Sequence, residues 1–181
     1  MRIVGGRWRG QRLPVLPAPG LRPTPDRVRE TLFNWLQTDI VGARCLDLFA
    51  GSGALGLEAA SRGAGEVVLV EAAAPVARQL RTQVTRLQAS GVEIRQQSAQ
   101  AYLASGPVPF DGVFLDPPFQ AGLLEPVCRC LSERRLLKSG AWVYVEMAAI
   151  AAPLVLPETW RWVRSGTAGD VAYGLVLVEG S

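Results

Sequence analysis

The chain is predicted to fold as a doubly wound α/β protein with a largely parallel sheet. Apolar runs at 44–49, 66–71 and 111–115 are nearly continuous, as expected of strands covered on both faces. Stretches with helical spacing alternate with the strands, at 53–62, 74–90, 99–104 and 120–137. The glycines of Gly51-x-Gly53-x-x-Gly56 fall between the first strand and the helix after it, where such folds turn tightly against a ligand.

Taken in order, Ile3 to Leu16 alternates weakly and carries Gly5, Gly6 and Gly10, which predicts a short hairpin or arm. Six prolines and glycines between 14 and 25 make a stiff linker (Pro14, Pro17, Pro19, Gly20, Pro23, Pro25). Thr24 is placed as an N-cap with Pro25 as the first helical residue, and Val28, Leu32, Trp35 and Leu36 give helical spacing over 25–38. Further strands are predicted at 92–97 and 141–147. Residues 160–163 and 171–179, joined by a glycine-containing turn, read as an antiparallel hairpin at the sheet edge. The expected division is a basic arm over 1–20 and one domain over 21–181.

A length of 181 residues with 49% hydrophobic content suits one globular domain. There is no apolar run of membrane-spanning length and no signal-peptide pattern, so a cytoplasmic protein without a membrane partner is expected. The three cysteines, Cys45, Cys128 and Cys130, form no regular framework and are expected to be reduced thiols. The chain contains no histidine, which removes Ser-His and Cys-His nucleophile systems and argues against a metal site. The net charge of +3 is unevenly distributed. Residues 1–12 carry four arginines and no acid, whereas the rest holds 15 basic and 16 acidic residues. Arg7, Arg9 and Arg12, with Trp8 among them, point to a nucleic-acid partner.

Asp116-Pro117-Pro118-Phe119 follows the apolar run that ends at Leu115. Two prolines stiffen the turn and leave carbonyls unpaired. A carboxylate, a free carbonyl and a flat ring at fixed separations suit a planar base bearing an exocyclic amine. The glycine pattern, with Glu71 at the end of the next strand, also fits a dinucleotide site, so a nicotinamide-dependent oxidoreductase is a rival reading. Asp47 disfavours it, because a pyrophosphate at the glycine turn would meet a carboxylate. S-Adenosylmethionine has no phosphate and carries a sulfonium and an ammonium, which an acid there favours.

Several segments carry a family resemblance. They are Arg2-Ile3-Val4-Gly5-Gly6-Arg7-Trp8-Arg9-Gly10, the run from Leu21 to Leu36, Leu46 to Ala59 continuing to Ala64, Asp116 to Phe119, and Ala168 to Tyr173. On them the sequence resembles the bacterial 16S ribosomal RNA guanine-N2 methyltransferases of the RsmD type, over nearly its whole length. The resemblance implies a class I, Rossmann-like S-adenosylmethionine-dependent fold with a seven-stranded, mostly parallel sheet and an N-terminal β-hairpin arm. It implies methylation of the exocyclic N2 amine of a guanine in 16S rRNA, with the assembled small subunit as substrate; the sequence shows no heptad pattern, and a monomer is expected.

In that reading Asp116 and the Pro117 carbonyl accept the amine protons, Pro118 holds the turn and Phe119 stacks on the base. Asp47, Phe49, Gly51, Gly53, Glu71, Ser98 and Ala99 surround the cofactor. Arg7, Trp8, Arg9 and Arg12 bind RNA, and Arg29 reaches the RNA backbone or the cofactor's carboxylate. A chain lacking residues 1–12 is expected to lose RNA methylation and still bind cofactor. Three positions depart from the family pattern. Ser98-Ala99 replaces an Asp near the adenine, Arg164-Ser165-Gly166 replaces Arg-Glu-Lys, and Gly174 stands where an arginine is usual. A DNA adenine-N6 methyltransferase is the alternative of related chemistry, disfavoured by the lack of room for a DNA-reading domain. A non-catalytic RNA-binding module would be expected to have lost Asp47 or Asp116.

Overall fold

A computed structural model describes residues 1–16, 24–118 and 122–179. The elements are α1 (Asp26–Trp35), β1 (Arg44–Asp47), α2 (Ala54–Ser61), β2 (Glu66–Val70), α3 (Ala74–Leu87), β3 (Val92–Arg95), α4 (Ala99–Ala104), β4 (Phe110–Leu115), α5 (Leu124–Glu133), β5 (Leu137–Ala148), β6 (Trp160–Ala168) and β7 (Val171–Val178). They build one seven-stranded sheet in the order β3-β2-β1-β4-β5-β7-β6. The first five strands are parallel, whereas β7 runs antiparallel to β5 and β6 antiparallel to β7.

The period of two along each strand divides the core. Val67, Leu69, Phe114, Trp142 and Tyr144 face α1, α2 and α3 through Leu32, Phe33, Leu57 and Leu80. Their neighbours Leu46, Val68, Val113, Val143 and Val145 face α4 and α5 through Tyr102, Leu103, Val127 and Leu131. With both faces covered, the strand interiors lose all contact with water, which explains their unbroken apolar sequences.

Several boundaries differ from expectation. Thr24 does not cap α1: its Oγ1 donates instead to Glu146 Oε1 at 2.7 Å, and Pro25 occupies the position before the helix. α5 ends at Glu133 rather than near 137, because Arg135 turns the chain with φ +53° and Leu137 already pairs with Phe110. β5 is correspondingly longer at its start.

The basic arm is a hairpin closed by a single ladder bridge, Arg2 with Arg12, and its tip is a 3-10 turn over Gly6–Trp8. It is packed into the domain. Ile3, Trp8 and Leu13 belong to the same core cluster as α1 and α2. The Val4 N–H donates to Glu58 Oε2 at 2.9 Å, and the Trp8 N–H donates to Ser61 Oγ at 3.0 Å. Glu58 is fully buried and also accepts from Arg29 Nη1 at 3.4 Å and Arg62 Nε at 2.8 Å. Arg29 Nη2 donates to the Arg2 carbonyl at 2.7 Å.

Two expectations fail in this packing. Arg29 is 1% exposed and spent on Glu58, Asp26 and the arm backbone, so it is not available to RNA or to a cofactor carboxylate. Trp8 is 8% exposed, with Arg7 stacked over its ring at 4.1 Å, so it packs in the core rather than offering a free face to a base. Removing residues 1–12 would strip core side chains and a backbone donor from a buried carboxylate, so such a chain is expected to unfold rather than merely lose RNA. Glu58→Ala, which removes the buried carboxylate shared by Arg29, Arg62 and the Val4 N–H and leaves Arg29 with Asp26 as its one carboxylate, is expected to cost about 3–5 kcal/mol of stability in urea unfolding. A loss under about 1 kcal/mol would mean that the arm is held by its apolar contacts alone.

Candidate active site

The carboxyl ends of adjacent parallel strands bring four acids to one edge. Asp47, the last residue of β1, pairs in register with Leu69 of β2 and Phe114 of β4. Glu71 follows β2 by one residue, and Asp116 follows β4. Leu115 pairs with Val145, which sets Glu146 of β5 beside Asp116. Such an edge is where open α/β sheets bind ligands.

Asp47 is 2% exposed and lies beneath the glycine turn, its Oδ2 accepting from the Gly56 N–H at 2.9 Å. It therefore satisfies a free amide in the first turn of α2. Gly56 is required by this approach, since a Cβ there would lie 2.2 Å from Leu69 Cδ2 and 3.1 Å from Asp47 Oδ2. Gly53 enters the helix with φ +78°, a conformation that favours glycine. Glu71 braces the same turn: Oε2 accepts from the Gly51 N–H at 3.0 Å and Oε1 from the Ala73 N–H at 2.7 Å.

The structure brings Asp47, Phe49, Gly51, Gly53 and Glu71 together around this turn. Phe49 is half-buried and packs against the α4–α5 side of the core. Ser98 caps α4, its Oγ accepting from the Ala101 N–H at 3.1 Å, and Ala99 is buried behind it. Asp116 is half-buried, Pro117 buried and Pro118 exposed, while Phe119 lies outside the described residues. Arg7, Arg9 and Arg12 are exposed on the arm, as expected. Gly174 is explained by packing: a Cβ there would lie 2.6 Å from Trp162 Cζ3, so the Trp162 ring occupies the space of a side chain.

Glu146 escaped the sequence reading. It is 3% exposed, and its Oε1 accepts from both Thr24 Oγ1 and the Tyr144 hydroxyl, the latter at 2.9 Å. It thereby ties the start of α1 to the strand beside Asp116. The available signal was its place: an acid ending the apolar strand Trp142-Val143-Tyr144-Val145, level with Asp116.

Crowding these acids away from water holds their protons. Burial, followed by the charges of Glu146 and Asp47, pushes the Asp116 carboxyl up to about 8. Burial, partly offset by the Gly56 amide, pushes Asp47 up to about 7. Burial also raises Glu146, against the two hydroxyls that favour its charged form. Among the described residues no cation pairs with Asp47, Asp116 or Glu146. Among the described residues this edge thus gathers carboxyl groups that no cation pairs with, an arrangement that suits a ligand carrying a sulfonium and an ammonium but no phosphate.

Fold and edge together define a class I S-adenosylmethionine-dependent methyltransferase, a seven-stranded Rossmann-like sheet with helices on both faces. The chain belongs to the family described as "Conserved hypothetical protein 95", whose profile matches residues 1–177. Its relatives include the ribosomal RNA small subunit methyltransferase D of Escherichia coli K12, 47% identical over 179 residues, covering 99% of this chain and 90% of the relative. The Haemophilus influenzae protein of the same name is 46% identical, with 97% and 92% covered. The solved structure of the putative methyltransferase yhhF from Escherichia coli superposes with TM-score 0.94 at 44% identity, covering 100% of this chain and 99% of the other.

The raised Asp116 has a consequence for stability. The folded protein keeps this proton up to about pH 8, while an unfolded aspartate releases it near pH 4 (about 3.9). The folded state therefore binds more protons across that interval, and its stability falls as pH rises through it. Asp116→Asn is expected to be more stable than the wild type at pH 8, with the gain shrinking toward pH 4.5, in urea unfolding across pH. A gain independent of pH would show that Asp116 ionises normally.

Proposed function

We propose that this protein transfers a methyl group from S-adenosylmethionine to the exocyclic N2 amine of a guanine in 16S ribosomal RNA, acting on the assembled small subunit as a cytoplasmic monomer. The observation that carries the reading is Asp116-Pro117 at the end of β4, set beside the buried Asp47 and Glu146, with which no cation pairs among the described residues. Relatives named as small-subunit rRNA methyltransferases support the substrate class.

The cofactor supplies an activated methyl on a sulfonium, so the protein's task is placement. Asp47 and Glu71 brace the glycine turn that the cofactor would lie against, and Asp47 lends it negative charge. Glu71 is the acid for the ribose hydroxyls, and Ser98 with Ala99 borders the adenine. A positive charge at this edge favours the ionised form of Asp116. The ionised carboxylate and the Pro117 carbonyl then accept the two amine N–H bonds, which aims the nitrogen lone pair at the methyl. Asp116 is also the nearest acceptor for the proton the amine gives up. Pro118 stiffens the turn, and Phe119 is assigned to stack on the base, a contact worth roughly 1–3 kcal/mol. The guanine must be unstacked or in a loop to enter. Arg7, Arg9 and Arg12 hold the RNA backbone.

The test is transfer of labelled methyl to small subunits lacking base methylation. Label recovered as N2-methylguanine with wild type, reduced at least about a thousandfold by Asp116→Ala with cofactor affinity within a few-fold, is the expected result. Label in adenine of DNA, or undiminished transfer by Asp116→Ala, would contradict it.

A further inference from the structure

Outside the site, α3 has a charge pattern that the fold does not require. Its sequence, Ala-Pro-Val-Ala-Arg-Gln-Leu-Arg-Thr-Gln-Val-Thr-Arg-Leu, contains three arginines and no acid. At about 100° per residue the helix divides cleanly. Val76, Ala77, Leu80, Gln83 and Leu87 are buried on one half. Arg78, Arg81, Thr82, Thr85 and Arg86 are all exposed on the other. Among the described residues none of the three arginines makes an ion pair; Arg81 Nη1 donates only to the neutral Gln96 side chain, at 3.2 Å. A solvated helix commonly mixes signs to gain i,i+4 pairs, and this one does not.

The same helix is strapped to the basic arm. Gln79 Nε2 and Gln83 Nε2 donate to the Pro14 carbonyl at 2.9 and 2.7 Å, and the Leu16 N–H donates to Gln79 Oε1 at 3.2 Å. Arg78 adjoins Gln79, and Arg86 lies three residues beyond Gln83. The arm's exposed Arg12 is two residues before Pro14. Arm and helix are thus joined at Pro14 and Leu16, and the joined elements carry the exposed Arg12, Arg78, Arg81 and Arg86. From Arg78 to Arg86 the helix runs about 12 Å, enough to follow successive phosphates.

We propose that the outer face of α3, through Arg78, Arg81 and Arg86, is a second phosphate-binding surface for the substrate RNA, joined to the arm. The planar guanidinium fork pairs with phosphate oxygens, and the exposed Thr85 hydroxyl can donate a neutral bond, whereas Thr82 Oγ1 donates to the Arg78 carbonyl at 3.3 Å. Contacts of this kind fix register without reading sequence. α3 begins just after Glu71, at the edge of the site, and extends away from it. It would grip RNA flanking the target, not the base itself. This rests on the reading of the protein as an RNA methyltransferase.

The experiment compares wild type with the R78Q/R81Q/R86Q variant, and with R129Q/R134Q on the opposite face of the sheet as control. Binding to naked small-subunit RNA and to undermethylated subunits is measured against salt, alongside methyl transfer and cofactor affinity. Each lost phosphate contact should flatten the log–log salt dependence by about 0.7–0.9. The triple variant should therefore lose about 2 in slope and at least tenfold in RNA affinity, with kcat and cofactor affinity unchanged, while the control behaves as wild type. An unchanged slope overturns the proposal, as does an equal loss in the control. A loss on subunits with naked RNA unaffected would assign the face to an acidic protein instead. Wild-type protein that neither binds nor methylates RNA would remove the functional reading as well, a result distinct from normal activity with an insensitive α3.

Discussion

The molecule is organised around carboxyl groups gathered at one edge of the sheet. Glu71, Asp47, Asp116 and Glu146 lie at or near the carboxyl ends of four neighbouring strands, and two of them are almost completely buried. Parallel pairing forces this convergence, because the carboxyl ends of β1 to β5 lie on one edge. The cost of keeping carboxylates from water and from each other appears as held protons on Asp47 and Asp116. It is met in part by local amides and hydroxyls, and the remainder favours a cationic ligand over an anionic one.

The surrounding packing keeps that edge in place. Asp47 is both a site charge and the brace of α2, so the glycine turn cannot move without disturbing it. At the far end of the same helix, Glu58 and Ser61 hold the arm. An eight-residue helix thus joins the cofactor turn to the basic arm. Across the sheet, Glu146 holds Thr24 and with it the start of α1. The parts that would meet RNA are fixed to the parts that would hold cofactor by buried polar bonds rather than by surface contact.

How much of this was legible in the sequence depended on whether a feature is local. The strands that became β1, β2 and β4 were plain because covering both faces confines polar residues to the strand ends. The glycine turn was plain because three glycines at fixed spacing have few other uses. Asp116 drew attention through the prolines after it. Glu146 has no such neighbours; it matters only through register with β4 and a bond to Thr24, 122 residues away. Trp8 and Arg29 were misplaced for the same reason. Arginine-rich sequence signals nucleic acid, yet nothing local says that Glu58 will bury one guanidinium and the core one indole. The basic face of α3 was readable from its spacing, but only the bonds of Gln79 and Gln83 to the arm give it meaning.

The most direct test of the account is calorimetric titration of the protein with S-adenosylmethionine and, separately, with NAD in the same buffer. Both ligands present an adenosine to the glycine turn and Glu71; beyond the ribose one carries a sulfonium and an ammonium, the other a pyrophosphate. If the buried acids set the choice, the first binds saturably with one site and the second shows no binding at the same concentrations. Binding of NAD as tightly as S-adenosylmethionine would contradict the account at its root.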